Sequence, residues 1–274
     1  VNEPPPTRED LVGAILETLG RYAGAIRAQW AAPSGTPTRH FVVDDVLPAA
    51  WAAQIHAAFP ADADGFAQMK SFRESKRTSA ELSDHDPLLS DVTHAIQDQR
   101  IIDAVAQLVE MPGLEPDPGL YAGGLSMMFT GDFLNPHLDN SHDANHDRYR
   151  RLNLLFYTSP DWSEEAGGNF ELWSADRTTP KTIVSQANRL VVMETNRSSY
   201  HSVNTVVADR PRCCVSNYYF SVASPDGEEY DHVTEFAARP GSRARQVLSR
   251  LDNTVRNFAQ RRLNIRPGRE RDPS

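Results

Sequence analysis

Leu125-Ser126-Met127-Met128-Phe129-Thr130-Gly131-Asp132-Phe133-Leu134-Asn135-Pro136-His137-Leu138-Asp139-Asn140 reads as two short extended runs, 125–133 and 136–140, and opens a texture that persists to residue 222. From Gly124 onward, strand-like runs are separated by turn residues, the pattern of a β-sandwich or barrel. Eight are recognisable: 125–133, 136–140, 151–159, 169–173, 181–185, 189–194, 201–206 and 212–222. Eight short strands with polar turns suit a double-stranded β-helix, the two-sheet jelly roll.

Working outward, the fold class is mainly β with flanking helices. Leu11, Ile15, Leu19, Tyr22 and Ile26 recur at helical spacing over 8–30. A strand over 40–47 precedes Pro48 and a second helix through Phe59, and a further helix is expected over 89–111. The polar stretch 69–90 reads as a long surface loop with a strand fragment. Val247, Leu251, Val255 and Phe258 mark one face of a C-terminal helix. There are no repeats, so one catalytic domain is expected over 1–274. It divides into N-terminal support (1–123), the jelly-roll core (124–222), and a C-terminal helix with a basic tail (223–274).

At 274 residues, 39% hydrophobic and 24% charged, the chain has ordinary globular composition and can bury a full core. No apolar run is long enough to cross a bilayer. Residues 1–30 carry early acids in place of the basic segment, apolar core and cleavage site of a secretory leader. A soluble, cytoplasmic protein without a membrane partner is expected. The formal charge of -9 disfavours nucleic acid as a partner. Residues 237–274 nevertheless hold ten Arg against three acids, a tail suited to an acidic surface, the protein's own included. Cys213 and Cys214 are adjacent in an apolar run, which fits buried strand residues and no disulfide framework.

His137 and Asp139 are two apart, so on an extended strand both side chains leave one face. His201, in Ser199-Tyr200-His201-Ser202-Val203, opens the seventh run, and in a jelly roll that strand can return beside the second. Two neutral imidazoles and a carboxylate on one side of a metal form the facial triad of non-haem Fe(II) oxygenases, which leaves positions for an organic co-substrate and dioxygen. A lone His-x-Asp is common by chance; its place on the second run, with a later His and an Arg-bearing strand, gives it weight. That strand reads Arg212-Cys213-Cys214-Val215-Ser216-Asn217-Tyr218-Tyr219-Phe220, and its period of two puts Arg212, Cys214, Ser216 and Tyr218 on one face. A guanidinium inside a barrel needs an anion. The distal carboxylate of 2-oxoglutarate would bind it bidentately, with Ser216 placed to donate a further hydrogen bond. The bland alternative is an edge-strand arginine paired with a surface acid. Arg210, in the connecting loop before Pro211, is the rival anchor and is less well aimed.

The motifs form a specific set: Phe129-Thr130-Gly131-Asp132-Phe133-Leu134 before His137-x-Asp139, then Arg151-Leu152-Asn153-Leu154-Leu155-Phe156-Tyr157 and Gly167-Gly168-Asn169-Phe170-Glu171-Leu172-Trp173. Arg189-Leu190-Val191-Val192-Met193-Glu194, His201-Ser202-Val203 and the Arg212 strand complete it. Over about 124–222 the chain resembles the catalytic core of the prolyl 4-hydroxylase-like group of 2-oxoglutarate/Fe(II) dioxygenases, and 40–59 resembles that group's N-terminal part. The resemblance implies Fe(II) on His137, Asp139 and His201, with 2-oxoglutarate and O2 as co-substrates and ascorbate as a candidate stimulant. It also implies that Tyr157 helps Arg212 hold the C5 carboxylate; the alternative is an ordinary core aromatic. Where the group often has Tyr, this chain has Phe129, at best a hydrophobic wall. Related halogenases carry a small residue in place of Asp139, so hydroxylation, with release of succinate and CO2, is the expected reaction.

The expected substrate is small or peptide-like, an amino acid or natural-product intermediate oxidised at an unactivated C–H. Peptidyl proline is the second reading. A non-oxidative cupin-like metal enzyme or binding module is the third, and it would have no need of a carboxylate anchor at Arg212. In the 69–90 stretch, Arg73, Lys76 and Arg77 are candidates to meet an anionic substrate, against the plainer reading of a charged surface loop. Residues 139–147 space oxygen donors like a calcium loop but put Ala144 where Gly is needed, and so read as a solvated loop at the barrel mouth. His142 and His146, four apart, have zinc-binding spacing for a helix, with no further ligand in view.

Overall fold

Thr7 opens the first helix with a capping box: its hydroxyl accepts the Asp10 N–H, and the Asp10 carboxylate accepts the Thr7 N–H in return. The computed structural model describes residues 4–121, 123–225, 227–237 and 239. The expected helix over 8–30 is two, α1 (Arg8–Arg21) and α2 (Ala23–Ala31), divided at Tyr22, whose backbone leaves the helical region. The expected helix over 89–111 is also two, α4 (Pro87–Ile96) and α5 (Gln99–Leu108), after α3 (Ala49–Ala57). The break at Gln97-Asp98 has a cause: the Asp98 carboxylate caps a new start by accepting the Arg100 N–H, and Gln97 turns inward to donate to Asn217.

All eight runs form strands. Following β1 (His40–Val43) and a hairpin of β2 (Ala67–Lys70) and β3 (Glu74–Ser79), they are β4 (Gly124–Met128), β5 (Phe133–Leu138), β6 (Tyr149–Tyr157), β7 (Phe170–Trp173), β8 (Pro180–Ile183), β9 (Arg189–Glu194), β10 (His201–Val203) and β11 (Arg212–Ser221). The antiparallel order β1-β9-β6-β11-β4-β3-β5-β10-β7-β8 sets β9-β6-β11-β4 and β5-β10-β7-β8 as the two halves of the jelly roll. β3 joins them, pairing with both β4 and β5. The 69–90 stretch is therefore no loop at its start: the hairpin completes the curl of the sheet. Its residues are polar and β2 is exposed throughout, so no apolar alternation announces it. Backbone pairing holds it, with Ser75 and Arg77 both donating to the buried Asp132 carboxylate.

Strand parity sorts the interior. Leu152, Leu154 and Phe156 of β6, Leu190 and Val192 of β9, and Cys213, Val215 and Tyr219 of β11 face the helices and join Leu11, Ile15 and Leu89 in one apolar core. Each such fully buried side chain contributes about 1.5–3 kcal/mol. Leu155, Tyr157, Val191, Met193 and Cys214 face the other way, into the barrel with Phe170 and Leu172. The adjacent cysteines thus lie on opposite faces, both free, and burial pushes their thiols up to about 12 and about 11.

Gly167 and Gly168 both have positive φ, and a Cβ on Gly167 would strike the Thr205 carbonyl oxygen. Gly167→Ala is expected to cost at least about 2 kcal/mol, read by thermal melting as a Tm fall of roughly 4–8 °C.

A short last strand, β12 (Glu235–Phe236), pairs with β5. Beyond it Arg239, the first arginine of the basic tail, meets Glu171 at 2.7 Å, an acid of the protein's own surface. The expected C-terminal helix lies outside the described residues. Among the described residues no helix is long and apolar enough to cross a membrane.

Candidate active site

β10 runs antiparallel to β5 with His201 directly opposite His137, the return expected of a seventh jelly-roll strand beside the second. The imidazoles lie 4.1 Å apart between centroids. Asp139, just past the end of β5, reaches between them: its two oxygens are 3.6 Å from His137 Nε2 and 3.6 Å from His201 Nε2. Each Nδ1–H donates to the carbonyl two residues back in its own chain, at Asn135 and at Ser199 (2.9 Å each). That bond settles the tautomer and leaves Nε2 with its lone pair toward Asp139.

Burial, and His137 alongside, push His201 down to about 4, so its ring is neutral at pH 7. Burial would raise the Asp139 carboxyl, but His201, Arg150 and His137 hold it well below the usual carboxylate range. Asp139 Oδ2 is buried without a hydrogen-bond donor. Two imidazole nitrogens with lone pairs and an ionised, under-satisfied carboxylate are the donor set a divalent transition metal takes, and their ligand atoms all lie within 4.8 Å of one another.

Arg212 lies inside the barrel as its strand parity requires, 3% exposed. Its guanidinium rests 4.7 Å from the centroid of the Tyr157 ring, Nε donates to the Ser185 hydroxyl (3.2 Å) and Nη1 points at the Met128 sulfur. Among the described residues no carboxylate pairs with it. The Tyr157 hydroxyl is also buried without a hydrogen-bond partner, and burial raises its pKa, against the pull of Arg212. A buried cation and a phenol, both lacking an acceptor, are costly unless an anion joins them. A dicarboxylate's far end fits that need. Gly168 makes room for it: a Cβ there would press on the Arg212 stem at 3.1 Å.

Other expected residues fall elsewhere. The Ser216 hydroxyl donates to the Gly124 carbonyl, and Ser185 from a different strand end is the hydroxyl at Arg212. Arg210 lies in the loop, donating to the Pro160 and Asp161 carbonyls. Phe129 packs with the helix-side core beneath Arg77, and Met128 is the residue of that strand facing Arg212. Lys76 pairs with Glu74 and Arg77 with Asp132, so two of the three hairpin cations are already matched by acids.

Arg150 was not anticipated. Its guanidinium, 2% exposed, sits 3.4 Å from Asp139 and 4.1 Å from the Tyr218 ring centroid, while Nε and Nη2 have no acceptor. Simple alternation places it with Leu152 on the helix side. However, β6 carries an extra residue at Arg151, since Leu152 pairs with Tyr219 and Arg150 with Phe220. This bulge turns Arg150 inward, a common way of re-aiming a side chain beside a site.

Residues 123–220 match the family described as the 2OG-Fe(II) oxygenase superfamily. This stretch is a 2OG-Fe(II) oxygenase domain. The match contains His137, Asp139, His201, Arg212, Tyr157 and Arg150, and the chemistry of the class is that of a dioxygenase using Fe(II) and 2-oxoglutarate.

Among solved structures, the oxygenase resembles a Pseudomonas putida prolyl-4-hydroxylase at 19% identity over 72% of this chain and 98% of that one, with a TM-score of 0.51. A Trichoplax adhaerens prolyl hydroxylase, solved with a hypoxia inducible factor peptide fragment, aligns at 14% identity over 75% and 92%, with a TM-score of 0.54. A Phytophthora capsici prolyl 4-hydroxylase gives 19%, 95% and 80%, with a TM-score of 0.52. At these identities the likeness is one of fold. Among curated proteins none matches the oxygenase.

Proposed function

We propose that His137, Asp139 and His201 hold Fe(II), that Arg212 with Tyr157 and Ser185 holds the distal carboxylate of 2-oxoglutarate, and that the enzyme hydroxylates an unactivated C–H of a small or peptide-like substrate. One observation carries this reading: a His–Asp–His cluster on the β5–β10 pair shares its barrel with a buried arginine that lacks an acid. When bound, Fe(II) and 2-oxoglutarate supply an oxidant whose formation releases succinate and CO2.

The chain's own groups do the rest. The Nδ1–H bonds keep both imidazoles in the ligating tautomer. Arg212 supplies the bidentate, always-charged clamp that orients the co-substrate, while Phe170, Leu172 and Val191 keep water from that end of the cavity. Arg150, with two free donors beside Asp139, favours a substrate that presents a carbonyl or carboxylate oxygen near the metal. Such an acceptor belongs to amino acids, peptides and many biosynthetic acids alike.

Anaerobic mixing with Fe(II) and 2-oxoglutarate is expected to give a weak visible charge-transfer band, since the co-substrate's keto acid end binds the metal. No band at saturating concentrations would overturn the oxygenase reading of this site. Succinate release, measured against panels of free amino acids and of peptides, then separates a small substrate from a peptidyl one by which panel stimulates it.

A further inference from the structure

Asp231 answers the question that the His142–His146 pair leaves open. It comes from a segment far along the chain, and its Oδ1 stands 3.8 Å from His142 Nδ1 and its Oδ2 3.5 Å from His146 Nδ1. The ligand atoms of the three residues all lie within 4.8 Å of one another, and among the described residues this and the His137 cluster are the two such groups. The basic tail contains neither His nor Cys to add another.

We propose that His142, His146 and Asp231 form a second divalent-cation site, separate from the first and of structural kind. The spacing suits it. Ligands about 2.0–2.1 Å from a tetrahedral zinc stand roughly 3.4 Å apart along each edge, close to the two distances here. Two imidazoles and a carboxylate select a borderline ion such as Zn²⁺ over Ca²⁺ or Mg²⁺, which take oxygen donors.

The surroundings are built to present these atoms. His142 is 7% exposed, packed against the Tyr149 ring at 4.2 Å. Burial lowers its pKa, so it is a neutral donor at pH 7. The Ser141 hydroxyl beside its Nδ1 has the His232 carbonyl as a second acceptor at 3.2 Å and can release that nitrogen. Asp143, the nearest competing acid, is fully engaged by Arg148 and by the Asp147 N–H. That leaves Asp231 as the carboxylate for the pair. Backbone bonds from Ser141 N to His232 O and from His232 N to the Ser141 hydroxyl already hold the two segments together.

The position gives the site a purpose. The 141–149 segment begins two residues after Asp139. Asp231 leads into β12, where Phe236 stacks on the His137 ring at 5.3 Å. An ion joining His142, His146 and Asp231 would clamp both segments that border the first site.

The test uses the whole chain, stripped with a chelator and dialysed against Zn²⁺, with bound metal counted by elemental analysis. It does not depend on the function proposed above, because His146 and Asp231 are exposed and lie outside the first cluster. Wild type is expected to retain two equivalents. His146→Ala, Asp231→Asn and His137→Ala should each retain one, and His137→Ala with His146→Ala none. Zinc should also raise the Tm of the His137→Ala chain and leave that of the double variant unmoved, a readout that requires both chains to be folded. The proposal is overturned if His146→Ala and Asp231→Asn keep the wild-type complement, or if wild type holds a single zinc that His137→Ala removes. Zinc at the second site only in large excess over protein would overturn it as well.

Discussion

His201→Ala is expected to weaken Fe(II) binding by at least about 100-fold, the upper end of what losing a mere hydrogen-bonding neighbour of a ligand does, and to reduce succinate release to background. The reason is geometric. His201 and His137 face each other across one strand pair and Asp139 spans them, so removing one imidazole leaves two ligands where a metal needs three from the protein. The variant opens a small cavity beside Phe170, and a melting curve alongside the titration separates loss of metal from loss of fold. Fe(II) affinity equal to wild type in a folded His201→Ala chain would remove His201 from the metal.

Arg212→Met is expected to do something different: leave Fe(II) binding intact and raise the apparent 2-oxoglutarate constant by about 100- to 1000-fold, the effect of breaking a buried charge pair worth roughly 3–5 kcal/mol. Methionine keeps an unbranched stem against Tyr157 and Gly168. Because the described residues offer the guanidinium no acid, the substitution should hold or raise the Tm in the absence of 2-oxoglutarate. A surface-paired arginine would behave in the opposite way, with a slightly lower Tm and unchanged 2-oxoglutarate binding. Arg212→Lys should recover only part of the affinity, since an ammonium keeps the charge and loses the planar fork.

The parts of the site legible in the sequence are those governed by a period of two within one strand. His137 with Asp139, the inward Arg212 and all eight core strands follow from alternation and turn residues. Three kinds of feature escape that logic. Arg150 sits inward because of one extra residue at Arg151, and a bulge leaves no mark on a pattern read residue by residue. The hairpin of β2 and β3 is held by backbone pairing and by Asp132, with no apolar stripe to reveal it. Ser185, Met128 and Asp231 owe their places to chain segments that meet only in the folded state. A clearer warning was present in the helices: Asp98, two residues before Arg100, is a good cap, and it divides a helix that periodicity alone runs through.

The two metal-facing imidazoles are steered by carbonyls of their own strands rather than by neighbouring side chains. The oxidising head is therefore written into the path of the backbone, and no residue of the cavity wall is answerable for it. Walls can be recut, one side chain at a time, around a head that keeps its aim. A scaffold so divided can be turned toward a new substrate without first relearning how to hold its metal.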